Sequence, residues 1–94
     1  MRTESVEIFS DQSNAAVMRR PGRKFPGVLV QGDTLHGLWL QADEACKAAY
    51  KVLQEDAYEE LVGLRDRLWE LLEHYKSVLV EHKHPLPFRE APRA

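Results

Sequence analysis

Phe25-Pro26-Gly27-Val28-Leu29-Val30-Gln31-Gly32-Asp33-Thr34-Leu35-His36-Gly37-Leu38-Trp39 changes its periodicity half-way along. The first half ends in the unbroken apolar run Val28-Leu29-Val30, a pattern typical of a well-buried strand. The second half opens a helical pattern. Leu35, Leu38, Trp39, Ala42, Cys46, Ala49 and Leu53 fall on one stripe at about 100° per residue. Between the halves, Gly32 permits a tight turn, and Asp33 or Thr34 can accept from the first free N–H groups of a helix. The junction predicts a strand over residues 25–31 that feeds straight into a helix. Leu40 alone departs from the stripe, on a face shared with Asp43, Glu44, Lys47 and Lys51.

Upstream of this junction, Ser5-Val6-Glu7-Ile8-Phe9-Ser10 alternates in the manner of a half-buried strand. Asp11-Gln12-Ser13-Asn14 is a turn cluster, whose short polar side chains bond their own backbone. Residues 15–20 return as a second strand until Pro21-Gly22 breaks it. Downstream, Asp56 and Glu59 have the spacing of a capping box. A long helix follows, with the stripe Ala57, Leu61, Leu64, Leu68, Leu71, Leu72, Tyr75, Val78 and Leu79. Pro85 and Pro87 end it. The reading is an α+β fold, a three-stranded antiparallel sheet followed by two antiparallel helices packed on one face. One domain spans residues 1–84, and residues 85–94 form a proline-rich, extended tail.

Composition narrows the function classes. The 94 residues are 44% apolar and 30% charged, which is globular rather than disordered. A chain this short buries only about 60–65% of its unfolded surface, so a partner would add usefully to its core. A net charge of −2 points to neither nucleic acid nor membrane. Cys46 is the only cysteine, which excludes an intrachain disulfide and suits a reducing compartment. No apolar run approaches the ~20 residues of a membrane span, and residues 1–10 have no signal-peptide core. A cytoplasmic protein is expected.

The motif Pro26-Gly27, three residues, Gln31-Gly32-Asp33-Thr34-Leu35, then Ala42, Glu44 and Ala45 on the helix resembles the HicB antitoxin family. That likeness spans Pro26 to Ala45 and implies a non-enzymatic protein whose sheet and helix sequester a small toxin. Where that family places another strand after its first helix, this chain has a long second helix. Val6-Glu7-Ile8-Phe9, Asn14-Ala15-Ala16-Val17, Phe25-Pro26-Gly27-Val28, His74-Tyr75 and Leu86-Pro87-Phe88 together resemble an uncharacterised family of small bacterial proteins. That likeness implies no activity.

No catalytic constellation is visible. Cys46 lies in the apolar stripe, where a free cysteine is a small hydrophobe. The helix carboxylates have no apolar setting to raise their pKa for acid catalysis. His82 and His84 lack further ligands at a recognised metal spacing. Gly22, Gly27 and Gly32 are five residues apart, unlike the glycines of a phosphate-cradling turn. No enzyme, metal or cofactor is expected. Arg19, Arg20, Arg23 and Lys24 place four positive charges in six residues. This basic loop carries the alternative reading of a nucleic-acid-binding accessory, though no aromatic platform interleaves it.

The most informative feature is apolar surface outside the core stripes. Tyr58, Val62, Trp69 and Val80 form a second strip on the long helix, and Leu40 is a weaker candidate on the first. Tryptophan and tyrosine are enriched at interfaces. The strip suits a homodimer seam, together with capture of one other protein in the manner of an antitoxin or immunity protein. Alternatively, the sheet, the tail or Trp39 covers it within one chain, since Trp39 and Trp69 lie at similar heights on antiparallel helices.

Overall fold

The computed structural model describes residues 1–11 and 15–90. It has the expected order of three strands and two helices, divided into two compact units, residues 1–31 and the chain from Gly32 onward. The turn assigned to residues 11–14 lies largely outside the described residues, as do residues 91–94 of the tail.

The first unit is an antiparallel sheet of β1 (Glu7–Ser10), β2 (Ala15–Arg19) and β3 (Gly27–Val30), in the order β1-β2-β3. Glu7 pairs with Arg19 and Ile8 with Met18, after which a bulge at Phe9 shifts the register so that Ser10 faces Val17. On the other side of β2, Ala16 faces Leu29 and Val17 faces Val28. Directly opposed residues share a face, so Ile8, Met18 and Leu29 lie on one side and Val17, Val28 and Val30 on the other. The β2–β3 connection is a turn in which Arg23 N–H donates to the Arg20 carbonyl at 3.2 Å. Pro21 and Gly22 are its central residues, and Gly22 has φ +81°, the left-handed value that the third residue of a type II turn requires.

Two expectations shift here. β3 begins at Gly27 rather than Phe25, because Pro26 cannot donate to a ladder. All four residues of β3 are exposed, so Val28-Leu29-Val30 does not mark a buried strand. β3 is an edge of a three-stranded sheet, with a single neighbour.

The second unit is a helical hairpin of α1 (Gly32–Ala49, 18 residues) and α2 (Glu55–Glu81, 27 residues). Helix α1 stops where Lys51 adopts φ +62°, and the Val52 and Leu53 amides close back on the Ala49 carbonyl. Helix α2 begins with Gln54 at the N-cap and no side-chain capping bond. Asp56 is therefore not the cap of a capping box. It sits in the first turn, where its charge complements the positive end of the helix dipole. At the far end, His84 N–H donates to Leu79 and Lys83 N–H to Val80, with Lys83 at φ +55°. This is a Schellman stop with lysine where glycine is usual, and Pro85 prevents continuation.

The core lies between the helices. Trp39, Ala42 and Cys46 of α1 and Leu72 of α2 are buried, Cys46 and Leu72 to 1% exposure. Gly32 lies so close to the Tyr75 ring that a β-carbon there would meet it at 2.2 Å.

Candidate interaction site

The hairpin has two unlike broad faces, created by how α2 is rotated. Two parallel rows run along α2, each with alternating spacings of four and three residues: Tyr58, Val62, Arg65, Trp69, Leu72, Lys76, Leu79 and Ala57, Leu61, Leu64, Leu68, Leu71, Tyr75, Val78. The first row turns to α1. Trp69 packs on Trp39 with ring centroids 4.7 Å apart, and Tyr58 on Tyr50 at 5.8 Å. Leu72 fills the gap between the helices.

One face of the hairpin is cross-linked by charge. Asp43 bridges Lys47 at 3.2 Å and Arg65 at 3.6 Å, and Arg65 also reaches Asp66 at 3.1 Å. Partial burial works against the charge on Arg65. Its hydrogen bond to Asp66 and the fields of Asp66 and Asp43 outweigh that and hold its pKa above the ordinary arginine value. Lys76 lies 4.8 Å from the Trp69 ring centroid and pairs with Glu73 and Glu90. Burial again opposes the charge, and the two carboxylates again prevail, raising the lysine pKa. The tail closes over the same face, with Phe88 stacked on His36 at 4.1 Å and Glu90 on Lys76.

The opposite face is apolar and open. Leu64 and Leu71 are 55% and 59% exposed, Leu38 is 44% exposed, and Leu61, Leu68, Tyr75 and Val78 are half-buried.

These positions rearrange the residues singled out in the sequence. Of the strip Tyr58, Val62, Trp69 and Val80, the first three are half-buried, Tyr58 and Trp69 against α1. Val80 and Leu40 are exposed, on the charged side of the hairpin. Conversely, Leu64 and Leu71, read as core, are exposed large hydrophobic side chains of α2. The pairing of Trp39 with Trp69 was the sequence signal that could have fixed the rotation. The tail is one of the covers that the sequence allows for this strip, but its particular contacts, Phe88 on His36 and Glu90 on Lys76, have no motif in the sequence.

The basic loop is also changed. Arg19 belongs to β2, and its Nε and Nη2 donate to both carboxylate oxygens of Glu7 at 2.7–3.0 Å. That hydrogen bonding, against a slight opposing effect of burial and aided by the arginine charge, lowers the Glu7 pKa. Arg20, Arg23 and Lys24 remain exposed. Arg20 and Arg23 border a shallow cavity of about 350 Å³ lined also by Met18, Phe25, Val28 and Leu29.

Among the described residues, no three His, Cys, Asp or Glu side chains converge as a metal site would require. His84 Nδ1 instead lies 3.0 Å from the Pro85 carbonyl. No described helix is long and apolar enough to cross a membrane.

An antiparallel sheet followed by a helical hairpin with one open apolar face defines a small α+β protein whose distinctive surface is hydrophobic. The chain belongs to a family of unknown function (DUF6959), whose model matches residues 1–88. No curated protein and no solved structure matches it.

Proposed function

We propose that the chain is a non-enzymatic protein-binding domain that self-associates. The observation that carries this is a balance of surface. Among the described residues four apolar side chains are buried, whereas sixteen large hydrophobic ones are exposed. Scattered exposed apolar residues are ordinary, but contiguous strips mark interaction sites. Here Ile8, Phe9, Val28, Leu29 and Val30 are on the sheet, and Leu38, Leu64 and Leu71 share one side of the hairpin. A core this small contributes little against the conformational entropy of ordering the chain. Burying the open surfaces against protein supplies the difference.

The local HicB-like motif at Pro26 to Ala45 suggests that a second, different protein is also captured, as an antitoxin or immunity protein captures its target. The nucleic-acid alternative is the weaker one. With Arg19 engaged by Glu7, Arg20, Arg23 and Lys24 are the loop cations left to meet phosphates, and each phosphate contact contributes only incrementally. Sedimentation equilibrium over a concentration series tests the reading. It predicts a species heavier than the 10.8 kDa chain at micromolar concentration. A chain that stays at 10.8 kDa into the high micromolar range contradicts self-association.

A further inference from the structure

We propose that the apolar face of the hairpin is the seat of a second copy of the same face, so that two hairpins close into a four-helix bundle. The inference rests on the self-association reading and specifies the surface that performs it.

The first argument is periodicity. Ala57, Leu61, Leu64, Leu68, Leu71, Tyr75 and Val78 repeat every 3.5 residues on average, the spacing of helices that pack against other helices along their length. Helix α1 meets the neighbouring row through Trp69 and Leu72 and leaves Leu64 and Leu71 more than half exposed. A second helix layer is what this row lacks.

The second argument is that α1 extends the face. Leu38, Ala45 and Ala49 lie roughly a quarter turn from the Trp39–Cys46 contact line. On antiparallel helices the senses of rotation are opposed, so these residues and the Leu64–Leu71 row emerge on the same side. The pairs Asp43–Arg65 and Tyr50–Tyr58 set the levels. They place Leu38 beside Leu71 and Ala45 beside Leu64.

Shape then selects the occupant. The face is large-toothed on α2, where leucines project, and shallow along the middle of α1, where Ala45 and Ala49 do. Turning one hairpin by a two-fold rotation about an axis parallel to the helices keeps these levels, so Leu64 of each copy seats over Ala45 of the other and Leu71 meets Leu38. Such self-complementarity is the requirement for a two-fold dimer.

The area suffices. Eighteen residues of α1 at 1.5 Å each, across two helix diameters, give a face of roughly 500 Å² per copy, or about 1,000 Å² in all, near the lower bound of specific interfaces. Charge agrees as well, because the ion pairs and the tail occupy the other face.

The test is sedimentation velocity of variants, with helical circular dichroism as a check on folding. Leu64→Glu with Leu71→Glu should weaken the dimer by at least about 100-fold, since carboxylates would be buried at the seam without partners. Both side chains are exposed in the single chain, so helix content should persist. Ala45→Arg should dissociate the dimer in the same way, by filling the shallow side. Leu40→Glu with Val80→Glu, on the charged face, should leave the mass of the unaltered protein unchanged. If the Leu64/Leu71 and Ala45 variants remain folded dimers, this seam is wrong while self-association stands. If the unaltered chain is itself a monomer, both readings fall.

Discussion

The indole rings of Trp39 and Trp69 lie 4.7 Å apart between centroids, inclined at 43°. An aromatic pair so placed gains attraction beyond the area it buries. It also decides which side of α2 faces α1, and therefore which side is left open.

Trp39 is only 7% exposed. Trp39→Ala should therefore cost about 3–5 kcal/mol, as large aromatic truncations in cores do. Urea denaturation measures it, and a midpoint close to that of the unaltered protein would show that the indole pair does not hold the hairpin.

Leucines of α2 should divide by row. Leu72 is 1% exposed, so Leu72→Ala should cost about 2–5 kcal/mol. Leu64→Ala should cost well under that in a dilute sample where the chain is monomeric. Equal losses at both positions would mean that the two rows are packed alike.

How much of this was legible in the sequence depends on what each residue can report alone. Strand and helix identities were readable because the period changes sharply at Gly32, and Pro21-Gly22 marked its turn because only a few residues adopt that backbone. The rotation of α2 was not. Both of its rows carry large apolar side chains at the same spacing, and the one with four leucines and no charged residue reads as core. The structure buries the other row because Trp69 finds Trp39. The roles of Asp56 and Arg19 escaped for a related reason. Each depends on a partner or boundary set by the fold, Gln54 taking the cap position and Glu7 facing Arg19 across the strands.

Gly32 gives a test of close packing at the start of α1. A β-carbon there would meet the Tyr75 ring at 2.2 Å, so the ring must move. Gly32→Ala should destabilise by about 1–3 kcal/mol, the usual effect of overpacking. In Tyr75→Ala the clash is gone, and the double variant should cost less than the sum of the two singles. Strict additivity in thermal or urea unfolding would remove the contact from the account.

The Glu7–Arg19 pair makes the β1–β2 ladder sensitive to acid. The Glu7 pKa is lowered in the folded chain, so the pair favours folding above the unfolded glutamate value of about 4.3 and ceases to do so as pH falls through the lower, folded value. A carboxyl-carbon NMR titration should place the Glu7 midpoint below that of an unstructured glutamate. Arg19→Ala should return it to the ordinary range. A normal midpoint in the unaltered protein would mean that the pair does not persist in solution.

The face-to-face seating of two hairpins is tested most directly by isotope-filtered NMR on a mixture of labelled and unlabelled chains. Signals are read only between different copies. The account predicts contacts from the methyl groups of Leu64 of one copy to that of Ala45 of the other, and from those of Leu71 to those of Leu38. Intermolecular contacts confined to other residues, or none at concentrations where the chain is fully associated, would contradict it.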